Sequence, residues 1–478
     1  MNETVDGTSN VPASYGAPLG AFHKMNRLSS LGAAPALVTI PTATFASKMT
    51  ALTAQPASVR IAPPEYPETK IWAFDGLSPG PEIRVSQGSR VERRFLNKLD
   101  VPSSIHWHGI RLDNAMDGVP GVTQAAVEPG ESFDYAFACP DAGTFWYHSH
   151  MKAVEQVERG LYGVLIVEEP DAPDIDGEHV LVLDDWRLND QAQISDDFGN
   201  GHDLSHGGRI GNVVTTNGST DRVLAANQGD RLRLRLVNAA NARIFTLGLR
   251  GMRGWVVATD GMPVEPREAG QPIDLAPAQR IDLIVAIQAN PGEDAVLLDF
   301  VRGEDYAQAS FRVTKSGPGR EAAPVPLPPN PLSTVPDPAG AREIAVRMEG
   351  GAMRWLSEAD SGHGRKSGRE LAGEGLFWAL NGYAGRPEEP LAKVGRGEAV
   401  LLTFINDTMW PHAMHLHGHH FFELDPSGRP GDFRDTTLVQ PGDSRKVLFA
   451  AHNPGDWLLH CHMLGHHASG MGTWLRVT

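Results

Sequence analysis

Residues 460–471 read HCHMLGHHASGM and set Cys461, one of only two cysteines in the chain, between His460 and His462, with His466 five residues and Met471 ten residues further on. On a strand, side chains two apart share a face and immediate neighbours oppose it. Cys461 therefore points away from the face that His460 and His462 share, and this one strand can touch two metal sites at once. A thiolate with two imidazoles and a weak axial thioether is the ligand set of a blue-copper electron-transfer centre. Cys461, His466 and Met471 supply three of those groups, and His412, three residues before an H-L-H-G element, supplies the second imidazole.

Three further H-x-H elements stand in the chain: His106 and His108 in HWHG, His148 and His150 in HSH, His415 and His417 in HLHG. One such pair is an ordinary occurrence on a surface or in a core. Four pairs at repeat-matched positions bring eight imidazoles toward one place, twice what a tetrahedral zinc site takes, and imidazole suits copper or zinc far better than calcium or magnesium.

The repeat that places them is internal. QGSRVERRFLN, QGDRLRLRLVN and RGEAVLLTFIN each run from a glycine through an apolar strand to an asparagine nine residues later, at Gly88–Asn97, Gly229–Asn238 and Gly397–Asn406. Nine residues beyond the first and third asparagines lie His106 and His415; the middle unit carries Leu247 and Leu249 at the corresponding place. Pro129 to His148 and Pro441 to His460 are both nineteen residues, with Gly143 and Gly455 five before the histidine. The outer units carry the chemistry and the middle one spaces them. Short runs of β-formers between glycines and prolines, 51 and 36 of them, with no long amphipathic helix, predict an all-β chain. The expected division is a tail over 1–47, domains over 48–168 and 178–315, a proline-rich extended connection over 316–341, and a third domain over 342–478.

A net charge of −16 argues against nucleic acid or an anionic membrane surface as a partner, and no apolar run reaches the length of a membrane span.

HWHG, HSH, HAMHLHG and HCHMLGHHASGM together resemble the three-domain multicopper oxidases of the bacterial laccase type, from about residue 48 to the end. The resemblance implies three consecutive cupredoxin-like Greek-key β-barrel domains and four copper ions. It places a type 1 copper on His412, Cys461, His466 and Met471, a type 2 copper on His106 and His415, and a type 3 pair on His108, His148, His150, His417, His460 and His462. It also implies one-electron oxidation of phenols or aryl amines coupled to four-electron reduction of dioxygen to water, with electrons entering at the His412 edge and passing through Cys461 to His460 and His462. Oxidation of Cu(I) or Fe(II) in copper tolerance is the alternative, and a nonenzymatic electron carrier or envelope scaffold a distant third. A periplasmic or secreted location comes from the same resemblance.

The chain departs from the family where relatives often have proline, at Ala413, and acidic residues, at Gly465 and His467. That leaves Asp117, nine residues after His108 in MDGVPG, as the candidate proton relay, its other reading being an Asp-Gly turn. His419, His420 and His467 are expected to flank ligands, since the ligand count is full. The methionines are scattered, with only Met353 in the polar segment 349–375, which tilts the expectation toward organic reductants.

Overall fold

The computed structural model describes residues 49–478 apart from 271, 302, 303 and 321; the tail expected over 1–47 lies outside the described residues. The repeated strands Arg90–Asn97, Arg231–Asn238 and Ala399–Asn406 are wired identically. Each runs parallel to the first strand of its own sheet, Thr50–Val59, Gly177–Trp186 or Arg342–Gly350. On its other side each is antiparallel to Ser132–Ala138, Arg280–Ile287 or Ser444–Ala450. The asparagine that ends the strand explains why it recurs. Asn97 Nδ2 donates to the carbonyls of Val101 and Val127 while its Oδ1 accepts from Leu99 N; Asn238 and Asn406 repeat that pattern two residues on and in the returning loop. A carboxamide can satisfy donors and acceptors on both sides of a turn at once, which an apolar residue cannot.

A second sheet faces each of these. In the first it holds His106–His108 against Gly143–His148, in the last His412–Leu416 against Gly455–Cys461, with His106 opposite His148 and His415 opposite His460. The middle pair of sheets has Phe245–Arg250 there, and its Leu247 and Leu249 lie opposite Asp299 and Leu297. The result is an all-β molecule of three sandwiched sheet pairs, with four and four, six and five, and six and five strands. Its described helices are at most six residues long. The one parallel pairing inside each of these six otherwise antiparallel sheets is the mark of a crossing, Greek-key-type connection.

Two segments differ from a simple alternating pattern. The arginines of RLRLRL face no solvent: Arg233 and Arg235 are buried and share Asp282 at 2.6 and 3.1 Å, and Asp282 also accepts from Thr144 of the first pair of sheets at 2.7 Å. The polar face of this strand is covered by a neighbouring sheet and satisfied by an ion network. Segment 349–375 is a folded piece, with a two-stranded ribbon and a helix Gly368–Gly373 opened by a Ser367–Glu370 capping box, and its Ala359 and Leu371 form a small core with Ala379 and Ala384 from the chain that follows.

The proline-rich stretch forms no strand among its described residues and is pinned by Asn330, whose side chain donates to Ala142 O at 2.7 Å and accepts from Ala142 N at 2.8 Å. The largest buried cluster continues from the first pair of sheets into the last, through Trp107, Phe145, Trp378 and Trp457. Gly143 and Gly455, both with positive φ, allow close approach between sheet pairs: a Cβ would lie 2.1 Å from O of Gly261, in the middle pair, at the first and 2.4 Å from Cγ of Asn114, in the first pair, at the second.

Candidate metal centres

The alternation of the strand ending at Cys461 sends its side chains to two places. Cys461 Sγ lies 3.6 Å from Nδ1 of His412 and 3.6 Å from Nδ1 of His466, and these two nitrogens are 3.0 Å apart. Both outer nitrogens are engaged. His466 Nε2 donates to His206 O at 2.7 Å, and His412 Nε2 meets Thr408 Oγ1 at 2.8 Å, whose own proton is drawn toward Asn406 Oδ1 at 2.7 Å. With the ring protons held outside, two lone pairs and a thiol face one another in a triangle, an arrangement that repels itself unless a cation sits inside it.

The indole of Trp378 packs on His466 and His412 at 4.4 and 5.0 Å and donates to Leu204 O. Met471 is buried, donates its N–H to His466 O at 2.9 Å and accepts from Cys461 N at 3.2 Å. Burial alone pushes the Cys461 thiol up to about 12, so a bound cation is what would release its proton.

His460 and His462 point the other way, into a buried cluster with His106, His108, His148, His150, His415 and His417. The histidines of the first and last sheet pairs interleave: His108 stacks on His415 at 3.7 Å between ring centroids and His106 on His417 at 4.0 Å. In most of these rings the outer nitrogen is again spoken for. Nδ1 of His106 meets Asp117 O at 2.9 Å, of His148 Ser149 O at 3.0 Å, of His415 Asp435 O at 3.0 Å, and of His460 Cys461 O at 2.9 Å. Inward, His417 Nε2 and His460 Nε2 are 3.1 Å apart, His148 Nε2 and His462 Nε2 are 3.4 Å apart, and His106 Nε2, His108 Nδ1 and His415 Nε2 have no partner at all. Buried lone pairs without donors are costly in an apolar surrounding and fit the neutral imidazoles that bind transition metals. Burial first, and then the neighbouring imidazoles, hold His148, His150, His417, His460 and His462 well below the usual histidine range, so the rings stay neutral.

Asp117 lies directly on this cluster: its Oδ2 accepts from His417 Nδ1 at 2.9 Å and its Oδ1 is 3.2 Å from His106 Nδ1. It is also an Asp-Gly turn, because Gly118 has φ of +79° and a Cβ there would lie 1.7 Å from Ile105 O. His419 Nδ1 contacts His417 O, His420 Nε2 lies 3.4 Å from Asp435 Oδ2, and the His467 ring stands 4.2 Å from that of His460, so all three flank the cluster.

Sequence reasoning missed a second carboxylate. Asp435 Oδ1 accepts from His108 Nε2 at 3.1 Å and lies 3.4 Å from His415 Nδ1. Burial works to raise its carboxyl, but Arg280 and then His108 outweigh it and hold Asp435 well below the usual range. Arg280 comes from the middle pair of sheets, which therefore does more than space the outer two. Its five N–H groups go to Asp435 Oδ1 and Oδ2, Ala278 O, Asp260 O and Thr144 O. The glycine of HWHG makes room for that pair: a Cβ on Gly109 would lie 2.4 Å from Arg280 and 2.6 Å from Asp435.

Comparison with known proteins agrees in kind with this geometry. Family models described as multicopper oxidase match residues 56–172, 177–308 and 360–478. A multicopper oxidase of Mycobacterium tuberculosis is 30% identical over 88% of this chain and 85% of its own. Copper resistance protein A of Pseudomonas syringae pv. tomato is 28% identical over 85% and 89%, and a laccase of Pycnoporus cinnabarinus 28% identical over 83% and 84%. Among solved structures, a multi-copper oxidase from Pseudomonas thermotolerans superposes with a TM-score of 0.79 at 32% identity, covering 90% of this chain and 98% of that one.

Proposed function

Because this chain belongs to the multicopper oxidase family, we propose that it takes single electrons from small phenols or aryl amines and delivers them in fours to dioxygen, giving water. The four coppers of that family, one type 1, one type 2 and two type 3, supply the one-electron transfers and the dioxygen chemistry when bound. The donor sets fit them. His412, Cys461, His466 and Met471 would hold the type 1 ion, His106 and His415 the type 2 ion, and His108, His148, His150, His417, His460 and His462 the type 3 pair.

The chain's own residues divide the remaining tasks. Cys461 is bonded through its backbone to His460 and His462, so the shortest covalent route between the two sites is a single peptide link. Asp117 and Asp435 fix ring orientation and proton position on four of the cluster histidines, as outer-shell carboxylates do. Burial of every cluster histidine keeps bulky reductants out of the oxygen-reducing site. The expected entry is at the His412 edge, where the ring is buried and its outer nitrogen is engaged by Thr408.

The observation that carries the organic-reductant reading is an exposed indole. Trp355 is 59% exposed, its ring 6.2 Å from that of Phe377, the chain neighbour of the Trp378 that packs on His466, and it presents an aromatic face on which a planar phenol can stack. Oxygen uptake by copper-loaded protein, measured with a panel of phenols and aryl amines beside Cu(I) and Fe(II), tests it; uptake with the metal ions alone would refute it. A second reading, oxidation of cuprous ions, is favoured by the exposed thioethers of Met353 and Met409. No described helix is long and apolar enough to cross a membrane, and the family resemblance supports a periplasmic or secreted location, which cell fractionation checks.

A further inference from the structure

The middle pair of sheets has its own version of the place where the last pair holds the Cys461 site, and the strand pairings show what stands there. Phe245 lies opposite Leu275, two residues before Pro277, as His412 lies opposite Val439, two before Pro441. On the same strands Leu247 is opposite Asp299 where Met414 is opposite Cys461. At the sheet edge Thr216 and Leu380 pair with Leu183 and Met348, which are the partners of the strand-ending Asn238 and Asn406. Two residues earlier, Val214 therefore falls where Trp378 does. Phe245, Asp299 and Val214 stand in for His412, Cys461 and Trp378.

With a valine in place of the indole, the middle pair keeps a cavity of about 560 Å³ between its two sheets. That volume lies within the range of small-molecule sites, roughly 300–1,000 Å³. Among the described residues Asp299 belongs to no group of metal-ligating side chains, so the cavity suits an organic ligand. Val214, Val301 and the exposed ring of Tyr306 line it, and three polar side chains face in. Asp299 is buried; its Oδ1 accepts from Thr246 N at 2.9 Å, and its Oδ2 has no partner among the described residues. Arg243 gives Nε to Asp185 Oδ2 at 2.8 Å and Nη2 to Gly211 O at 2.9 Å, which leaves Nη1. Buried Gln308 accepts at Oε1 from Thr216 Oγ1 at 3.4 Å, which leaves Nε2. Arg243 is balanced by Asp185, and Asp299 is a buried carboxylate with no ion-pair partner among the described residues. Burial raises its carboxyl above the usual range, against the pull of the Thr246 amide and Arg243.

We infer that this cavity is a binding site for a free α-amino acid with an apolar side chain. The ammonium group of the ligand meets Asp299 Oδ2, its carboxylate takes the spare N–H groups of Arg243 and Gln308, and its side chain lies against Val214, Val301 and the Tyr306 ring. This class of ligand uses the spare acceptor, both spare donors and the apolar wall together. A plain amine would leave the guanidinium and amide N–H groups without a partner, and a plain acid would leave the Asp299 carboxylate unpaired, each at the cost of a buried polar group unsatisfied. The described lining comes entirely from the middle pair of sheets, so the site is separate from both copper-binding regions and from the surface at Trp355.

Calorimetric titration of copper-loaded protein with L-phenylalanine and L-leucine tests the site, with 2-phenylethylamine and 3-phenylpropionate as ligands that lack one charged group each. One amino acid binds per chain without bleaching the Cys461 centre, and each one-charge analogue binds more weakly by about tenfold or more, the effect of losing a hydrogen bond to a charged group. Asp299→Asn keeps the oxygen that accepts from Thr246 N and removes only the charge, so the variant folds and loses affinity by a similar factor. Val214→Trp puts into the cavity the indole that the last pair carries at that place, and abolishes binding. The blue colour and the melting temperature show that both variants are folded. Failure of both amino acids to bind the wild type overturns the site, as does equal binding by the wild type and Asp299→Asn. An amine or acid analogue that binds as tightly as phenylalanine overturns the amino-acid assignment.

Discussion

Arg280 and Asp435 are 155 residues apart in the chain and meet in a fully buried two-pronged pair, with Nη1–Oδ1 at 2.9 Å and Nη2–Oδ2 at 2.6 Å. Because Asp435 also holds His108 and His415, the middle pair of sheets sets the geometry of a cluster to which it gives no ligand.

Arg280→Leu leaves that carboxylate buried without its cation, a loss of roughly 3–5 kcal/mol. Arg280→Lys keeps the charge but not the fork. The lysine variant is expected to fold with the colour of the Cys461 centre intact and fewer coppers in the histidine cluster. Copper per chain and the visible spectrum, read together, decide this; full copper content in the lysine variant would show that the fork is dispensable.

Asp117→Asn keeps an oxygen near His417 Nδ1 but removes the charge from the 2.9 Å contact. Reoxidation of reduced protein by dioxygen should slow by about 10–100-fold, the usual range for an outer-shell partner, while reduction of the Cys461 centre is spared. Stopped-flow measurement of the two half-reactions separates them, and equal slowing of both would reassign Asp117 to packing.

The histidines and the cysteine that the fold gathers were legible because the chain writes them in a local code: H-x-H on a strand, repeated at fixed distance from a strand-ending asparagine. Asn97, Asn238 and Asn406 made the three units visible, and the alternation around Cys461 gave the two-sided strand. Asp435 had no such mark. Its partner Arg280 arrives from another sheet pair, and nothing near either residue announces a pairing across 155 positions. His206 was invisible for a related reason: its main-chain carbonyl, not its side chain, meets His466. The polar composition of 349–375 concealed a small core around Ala359 and Leu371, so deletion of that segment would disturb the fold, and single substitutions at Trp355 are the sharper probe.

Trp355→Ala should raise KM for phenols by about tenfold, in line with the roughly 1–1.5 kcal/mol of an aromatic contact, and leave the Cys461 colour unchanged. Michaelis constants for a phenol and for Cu(I) measured on the same preparation test it; an unaltered phenol KM would place the organic reductant elsewhere.

Glu158 is fully buried between Arg209, Asn241 and the Arg187 amide, and burial raises its carboxyl to about 7, with Arg209 opposing the rise and Asp185 adding to it. In the unfolded chain the same group ionises near about 4.3. Between these values the folded protein holds more protons than the unfolded one, so stability falls as pH climbs toward 7 and levels off above it. Glu158→Gln should remove that part of the fall, so the variant gains on wild type between pH 5 and pH 8. Melting temperatures of the two proteins that run parallel across this window would exclude Glu158 as a source of the pH dependence.

Cys461→Ser tests the division of the strand into two faces. The substitution removes the only thiol within reach of His412 and His466, each 3.6 Å from Sγ, and with it the only donor there that can give a copper-thiolate colour. The second cysteine, Cys139, is buried beside Gly88 and Val91 in the first pair of sheets and, among the described residues, belongs to no cluster of metal-ligating side chains, so it offers no substitute. His460 and His462 face the other way, and their partners His417 and His148 are untouched by the change. The variant should therefore be colourless and inactive with every reductant, yet retain all but one of its coppers, because the serine hydroxyl fills nearly the same volume and the opposite face of the strand is unaltered. Metal content by mass spectrometry beside the visible spectrum gives the answer. A variant that stays blue would move the thiolate site elsewhere, and one that loses all its copper would mean that the two sites are not held independently.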